Sequence, residues 1–383
     1  PITDQQLMTE VNPEIKILKT KISEPYKFAK FFSKATTQSI SSGIIPNKRK
    51  QGFLEKLLLW VRGNLFIPDA RIGWVKPSVS YLKNYLKENS VDMIITTGPP
   101  HSLHLIGLEL KETTGITWIA DFRDPWTNIG YHKELKLTDR SKNKHLNLEK
   151  KVLNEADHIL VTSPTTKSEF SKLTKKEITV ITNGYDVEYV AKKPLDSKFS
   201  MAHIGSFLSD RNPRVLWKSL AEILKENEDF RNDFELKLIG KVSQEILDVI
   251  NEFKLTNYVN NLGYLSHNEA LIQQRISQVL LLIEINSEET VGIIPGKLFE
   301  YMAAERPILA IGPENADFSK IIKETNSGTF CTYEEKDEIK ETILKMYNLY
   351  KKNELKVFAM GLQYYSRKKL TEKLANIIKK EAK

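Results

Sequence analysis

The sequence has almost no cysteine and no long apolar run, and each absence excludes a class of protein. Its one cysteine, Cys331, excludes a disulfide framework and a multi-cysteine metal site, and favours a reducing compartment. No apolar stretch approaches the roughly 20 residues that a membrane-spanning helix needs. The first residues, PITDQQLMTEV, lack a basic segment followed by an apolar one, so no secretory signal is visible. These features predict a soluble, cytoplasmic protein.

What the sequence does have is a two-domain length and a basic character. Its 383 residues exceed what one hydrophobic core usually serves, and 40% hydrophobic with 28% charged residues is typical of globular proteins. The formal net charge is +8, and residues 48–88 alone carry a net charge of +6. This window indicates an anionic partner such as a phosphorylated substrate, an acidic membrane surface or nucleic acid. The alternative is a solvated basic face.

From about residue 91, short β-rich runs alternate with amphipathic helical runs, which predicts parallel sheets with crossover helices. The polar segment 185–200 interrupts this rhythm and marks a domain boundary. The fold class that we predict is α/β, with two Rossmann-like doubly wound domains that face a cleft. Because open parallel sheets bind ligands beyond the carboxyl ends of their strands, the loops there are the candidate sites.

Two loops in the second half of the sequence contain residue types that are typical of phosphate-binding sites. In GSFLSDRNP (205–213), Gly205 permits a tight turn and Arg211 lies before a helix, a combination that favours an anion. In the block 290–312, Pro295 and Gly296 precede a helix whose first turns carry Lys297 and Glu300 on one face. There the lysine can meet a phosphate while the carboxylate accepts two sugar hydroxyls. The alternatives are an ordinary strand–helix turn and a surface ion pair worth about 0.3–0.5 kcal/mol.

Two loops of the first half carry the candidate catalytic and acceptor-side residues. His101 follows a predicted strand, and Ser102 is expected to cap the next helix. The next strand, in WIADFRDPW (118–126), is followed by four polar or aromatic side chains, namely Asp121, Arg123, Asp124 and Trp126. The alternatives are a structural histidine and a turn initiated by Asp124 before Pro125.

Several segments that contain these residues resemble a known family of enzymes. The segments TNGYD (182–186), GSFLSDRNP and PGKLFEYMAAERPILAIG (295–312) resemble family 4 glycosyltransferases of the GT-B architecture. The segment from 98 to 126 resembles the bacterial members associated with surface-polysaccharide synthesis. The resemblance implies an acceptor-side domain (1–186), a nucleotide-sugar-binding domain (199–364) and a final helix (367–383) that packs back on the first domain.

The resemblance also implies roles for particular residues. His101 and Asp121 would lie near the reacting sugar or the acceptor hydroxyl, and Arg123, Asp124 and Trp126 would lie on the acceptor side. Arg211 and Lys297 would meet the diphosphate and Glu300 the ribose. The full donor-binding set that we predict is Gly205, Ser206, Arg211, Lys241, Pro295, Gly296, Lys297 and Glu300. The expected reaction retains the anomeric configuration and needs neither a metal nor a cofactor, because the nucleotide-sugar is itself a substrate.

The sequence departs from the family pattern at two places. The family often has a glutamate eight positions before the ribose-binding one, where this chain has Gly292, and neighbouring Glu288 and Glu289 are out of register. The family also opens with a strand and a glycine-rich loop about 50 residues before anything seen here, so we expect that the first βα unit is missing from this sequence. An acceptor side without that unit would lack a loop that approaches the donor phosphates.

The expected partners are a nucleotide-sugar donor, a saccharide or lipid-linked acceptor, and an anionic membrane surface, with no nucleic acid. The membrane contact is predicted for residues 48–74, where Leu54, Leu57, Leu58, Val61 and Leu65 share a helical face with Trp60 beside it. Packing of this helix on the first sheet is the alternative. The rival functions are a sugar-nucleotide epimerase of the same architecture and a non-catalytic protein that binds anions or nucleic acid.

Overall fold

The computed structural model describes residues 11–20, 22, 53–128, 130, 132, 135–186 and 193–382. The chain divides into two compact units. One consists of residues 1–118 with 131–155, and the other of residues 119–130 with 156–383. Among the described residues, every helix is too short or too polar to span a bilayer.

The first half forms a sheet of four strands in the order β1-β2-β3-β4, with β2, β3 and β4 paired in parallel. The elements in chain order are α1 (Phe53–Leu65), α2 (Val75–Glu88), β1 (Met93–Gly98), α3 (Ser102–Thr114), β2 (Thr117–Phe122), α4 (Asp139–Glu155), β3 (His158–Val161), α5 (Pro164–Phe170) and β4 (Glu177–Val180). The helix α3 ends at Gly115, which takes the left-handed conformation at φ +73°.

Helix α1 leaves part of its predicted apolar face exposed and buries a leucine that lies outside this face. Leu59, outside the predicted apolar face, is 1% exposed and faces the core, whereas Leu57 and Leu65 are 45% and 64% exposed. Trp60 is also exposed, at 39%. The side chain of Leu54 and residues 48–52 lie outside the described part of the chain. Part of the predicted apolar face thus lies at the surface as an apolar stripe, while the helix packs into the core through Leu59, outside that face.

The second half forms a six-stranded parallel sheet in the order β10-β9-β8-β5-β6-β7. Its first elements are β5 (Phe199–Ile204), α6 (Arg214–Glu226), α7 (Glu228–Asp233), β6 (Phe234–Ile239), α8 (Gln244–Glu252), β7 (Val259–Gly263), α9 (His267–Ile276) and β8 (Val279–Ile283). The others are α10 (Gly296–Ala303), β9 (Ile308–Gly312), α11 (Asp317–Thr325), β10 (Gly328–Thr332), α12 (Lys336–Lys351) and α13 (Arg367–Glu381).

The central strand β8 shows why this sheet is covered on both faces. Its sequence is continuously apolar, which is typical of a parallel strand buried on both sides. Val279, Leu281 and Ile283 point into a core that includes residues of α6 and α12. Leu280 and Leu282 point to the opposite face, into a core with residues of α10 and α11. The sheet therefore positions its functional loops at its ends rather than on its faces.

The second unit contains the single cysteine of the chain and the final helix. Cys331 on β10 is fully buried, and burial raises the pKa of its thiol to about 12.

The final helix, α13, lies against β3 and β4, where Lys380 pairs with Glu177 at 2.6 Å. The next residue, Glu381, contacts the ring of His158 at 3.2 Å. Both contacts join the end of the chain to the first sheet.

Candidate active site

The order of strands reverses between β5 and β8, so these two neighbours define the switch point of the second sheet. Their carboxyl ends are where an open parallel sheet binds a ligand. The loop after β5 starts at Gly205, with φ +115°, and the loop after β6 starts at Gly240, with φ +110°. A Cβ on Gly240 would lie 2.6 Å from the carbonyl oxygen of Gly205, so only glycine fits there.

These two loops hold each other in place. The amide N–H of Phe207 donates to the carbonyl oxygen of Lys241 at 2.8 Å, and that of Ser243 donates to the carbonyl of Phe207 at 2.9 Å. The side chains of Ser206 and Lys241 are exposed. The predicted donor-binding residues Gly205, Ser206 and Lys241 thus belong to two backbone-linked loops at the end of the sheet.

Arg211 is oriented by a carboxylate that follows the opposite strand of the switch point. Its Nε donates to Oε1 of Glu284 at 2.9 Å, and Glu284 is almost fully buried directly after β8. The same carboxylate oxygen accepts from the amide of Ile285 at 3.1 Å. Because Glu284 engages Nε, the Nη side of the guanidinium is available to form bidentate contacts with an anion.

Lys297 lies in the first turn of α10, after Pro295 and the exposed Gly296. The lysine is half-buried, and burial lowers the pKa of its ammonium to about 8, with repulsion from Arg211 as a second cause. The carboxylates of Glu284 and Glu300 act in the opposite direction but do not offset these effects. The positive charges of Arg211 and Lys297 therefore destabilise each other.

Tyr301 and His203 connect α10 and β8 to β5, the strand that leads to the loop of Arg211. The hydroxyl of Tyr301 on α10 accepts from the amide of Ile204 at 2.9 Å, which ties the helix to the end of β5. His203 is fully buried, stacks on Phe207 and contacts the carbonyl oxygen of Leu281 through Nδ1 at 3.2 Å. Burial and the nearby Lys297 hold the pKa of His203 well below its usual range, so its ring is neutral.

Glu300 lies one turn after Lys297 on α10. Its Oε2 accepts from Nε2 of Gln274, a buried side chain of α9, at 3.0 Å. Within the described residues, Glu300 and Lys297 do not form an ion pair, which argues against a simple surface pair between them. The carboxylate is instead fixed by a neutral amide.

The loop after β2 contains three predicted acceptor-side residues in two different environments. Arg123 lies 3.6 Å from Asp121 and donates to the side chain of Asn183 at 2.5 Å and to the carbonyl of Ile181 at 3.2 Å. Asp124 is exposed. The guanidinium thus links Asp121 to the TNGYD segment after β4.

Trp126 belongs to the core. Its side chain is fully buried, so the acceptor-side role predicted for it is wrong. The sequence suggested a functional cluster because Trp126 follows three charged residues. The chain turns after Pro125, however, and the indole is large enough to be worth more in the core than at the surface.

His101 is buried, 2% exposed, at the start of α3, and its ring lies 5.8 Å from that of His104. Ser102 does not cap α3 with its side chain. Instead, Asp69 accepts from both the amide and the hydroxyl of Ser102, at 2.8 and 2.9 Å. A carboxylate from a distant part of the sequence therefore stabilises this helix start, in keeping with the preference of helix N-termini for negative charge.

Gly292, where the family often has a glutamate, packs against the start of α5. A Cβ there would lie 3.2 Å from the side chain of Thr165 and 3.3 Å from the hydroxyl of Ser163. The amide of Thr165 also donates to the buried carboxylate of Asp317 at 2.8 Å. A side chain at Gly292 would therefore crowd Thr165 and Ser163, which would have to shift by a few tenths of an ångström.

Comparison with known protein families gives two matches, one in each half of the chain. Residues 44–189 match the family model described as Glycosyltransferase Family 4. Residues 198–349, which contain Arg211, Lys297 and Glu300, match the model described as Glycosyl transferases group 1. The chain is a family 4/group 1 glycosyltransferase. No curated protein matches the sequence of this glycosyltransferase.

Solved structures show the same GT-B fold at low identity. HepE from Anabaena, solved with UDP, has a TM-score of 0.61 at 14% identity, and the match covers 81% of this glycosyltransferase and 84% of HepE. A glycosyltransferase from Rickettsia africae has a TM-score of 0.58 at 15% identity, with 81% and 82% covered. Sucrose-phosphate synthase from Thermosynechococcus elongatus has a TM-score of 0.56 at 16% identity, with 81% and 78% covered.

The residues that orient the predicted site residues were not identified from the sequence pattern. Glu284 had a visible signal, because it is a carboxylate directly after the apolar strand VLLLI. Gln274, His203 and Asp69 had none, since each acts on a residue far away in sequence.

Proposed function

We propose that this glycosyltransferase moves a sugar from a nucleotide-diphosphate donor to a saccharide or lipid-linked acceptor in surface-polysaccharide synthesis. The observation that carries the donor assignment is that two cations, Arg211 and Lys297, lie near enough to repel each other at the switch point of the second sheet. Burial and the repulsion from Arg211 lower the pKa of Lys297, so a dianion placed between the two cations relieves an existing free-energy cost. A diphosphate supplies that charge.

The remaining donor contacts follow from the positions of the loops. Gly205, Ser206 and Lys241 would border the phosphates, and the start of α10 at Pro295 and Gly296 would direct its amide groups to them. Glu300 would accept the ribose hydroxyls. Two structures of one solved neighbour support a nucleotide donor, since HepE was crystallised with UDP and also with UDP and glucose.

For the reaction itself we propose retention of configuration without a metal or cofactor. The bond between the anomeric carbon and the leaving phosphate oxygen breaks, and the acceptor oxygen forms a bond to the same face of that carbon. The acceptor proton passes to the leaving phosphate oxygen. Arg211 and Lys297 stabilise the charge that develops on the diphosphate, which is the largest contribution that such a site can make. His101 and Asp121 orient the reacting groups.

The donor assignment predicts a large effect of Arg211→Ala on donor binding. A thermal-shift screen against UDP-, GDP- and CMP-sugars identifies the ligand, and calorimetry then measures its affinity. Loss of a charged hydrogen-bond donor is expected to weaken binding ten- to a hundredfold. Arg214→Ala is the matched control, because Arg214 forms an exposed pair with Glu252 on the neighbouring helix. Unchanged affinity in Arg211→Ala would refute the diphosphate assignment.

We further propose that the exposed stripe of α1 binds an anionic membrane on which a lipid-linked acceptor resides. Leu57, Trp60 and Leu65 are exposed, and Lys56 beside them is exposed as well. An amphipathic helix with apolar and basic residues in this arrangement is typical of interfacial binding. A peripheral position on the inner face of the cytoplasmic membrane follows from this proposal.

The membrane proposal predicts that the protein sediments with vesicles that contain anionic lipid. The double substitution Leu57→Gln and Leu65→Gln is expected to lower the bound fraction at least fivefold, because it removes two of the three exposed apolar side chains named above. Leu146→Gln, at another exposed leucine of the same unit, is the control. If wild-type protein stays in the supernatant with anionic vesicles, the membrane proposal is wrong.

A further inference from the structure

Gln274 is a buried glutamine that the function proposed so far does not use. It lies on α9, is 2% exposed and donates from Nε2 to Oε2 of Glu300 on α10 at 3.0 Å. Helix α9 packs beside β5, the strand that leads to Gly205. Gln274 therefore connects the donor-binding helix to a neighbouring element through one polar contact.

The amide of Gln274 has only one orientation that suits its surroundings. Its Oε1 is buried and accepts no hydrogen bond within the described residues. A flipped amide would place that oxygen against the carboxylate of Glu300, where two acceptors repel each other. The carboxylate thus sets the amide, at the cost of leaving a buried acceptor unpaired.

The choice of a neutral donor has a consequence for Glu300. An arginine in place of Gln274 would engage both carboxylate oxygens in a fork and add a positive charge. The amide instead fixes Oε2 by one bond and leaves Oε1 without a hydrogen bond among the described residues. A carboxylate held in this way has a defined plane and a full set of lone pairs on its second oxygen.

We infer that Gln274 is a positioning residue that makes the site selective for ribonucleotides over deoxyribonucleotides. The inference rests on the proposed role of Glu300 as the ribose-binding group. A vicinal diol donates two hydrogen bonds at a fixed spacing, so both hydroxyls contribute to the binding free energy when the plane of the carboxylate is fixed. A carboxylate that rotates freely can reorient towards a single hydroxyl, so the second hydroxyl contributes less to the binding free energy.

The test compares the affinities of UDP and 2′-deoxy-UDP for the full chain by calorimetry, with GDP and its 2′-deoxy analogue as a second pair. The wild-type protein is expected to bind the ribonucleotide at least tenfold more tightly. In Gln274→Met, which keeps the side-chain length without the donor, this ratio is expected to fall to threefold or less. Gln273→Met is the matched control, because this neighbouring glutamine contacts Lys237 and not Glu300.

The outcomes separate this inference from the proposed function. A merely structural Gln274 would weaken binding of both nucleotides equally and leave the ratio unchanged, and that result would overturn the inference. Glu300→Ala must lose the selectivity if Glu300 binds the ribose. If Glu300→Ala keeps the selectivity, or if the wild type binds no nucleoside diphosphate, the donor site itself is misassigned and the inference fails with it.

Discussion

Lys297→Met is expected to abolish detectable donor binding and, at the same time, to raise the melting temperature of the free protein. The ammonium of Lys297 is the charge placed beside Arg211 for the diphosphate, so its loss should weaken binding a hundredfold or more. The gain in stability has the same origin. The pKa of Lys297 lies at about 8 in the folded protein, below its ordinary value of 10.5. Keeping the lysine charged at pH 7 therefore costs up to about 3 kcal/mol of folding free energy.

A thermal melt and a calorimetric titration check the two effects on the same sample. The apo variant is expected to melt a few degrees above the wild type, and added donor should not shift its melting temperature further. Lys218→Met, at an exposed lysine on α6, is expected to change neither quantity. A variant that melts lower and still binds the donor would contradict both the burial of the cation and its role.

Donor affinity is expected to be constant below about pH 7 and to fall roughly tenfold between pH 7 and 9. In the free protein Lys297 loses its proton around pH 8, whereas the bound diphosphate stabilises the charged form. Binding above pH 8 must therefore take up a proton, which weakens it as the pH rises. Calorimetry in two buffers of different ionisation enthalpy measures both the affinity and the proton uptake.

The control for this pH dependence is Lys297→Arg. A guanidinium stays charged over the whole range, so its affinity profile should be flat even if binding is weaker overall. Stability should respond in the opposite direction to affinity. Because the folded pKa of Lys297 is lowered, its unfavourable contribution is present below pH 8 and disappears as the pH rises towards 10.5. A flat affinity profile in the wild type would show that Lys297 does not titrate in the free site.

The second sheet could be predicted almost entirely from the sequence, because its signals are local. Apolar runs such as VLLLI define the strands, and the Pro295–Gly296 pair marks the start of α10 where the structure has it. The spacing of apolar residues and the positions of Gly and Pro determine where such elements begin and end, and both are visible within a few neighbouring residues.

The orientation of the site could not be predicted, because it depends on contacts through space. Glu284 reaches Arg211 across 73 positions and Gln274 reaches Glu300 across 26. The wrong role for Trp126 and the unpredicted burial of Leu59 have the same cause. The burial of Trp126 and of Leu59 on α1 depends on which neighbours surround each side chain, and a pattern within one segment does not contain that information.

The deep burial of Cys331 has a practical consequence for studying this enzyme. Its thiol is shielded and its pKa is raised to about 12, so we expect no reaction with maleimides or alkylating dyes while the protein is folded. It is also the only cysteine in the chain. A second cysteine placed at an exposed position such as Tyr264 would thus be the single reactive handle, and fluorophores or spin labels could be attached there without first removing the native thiol.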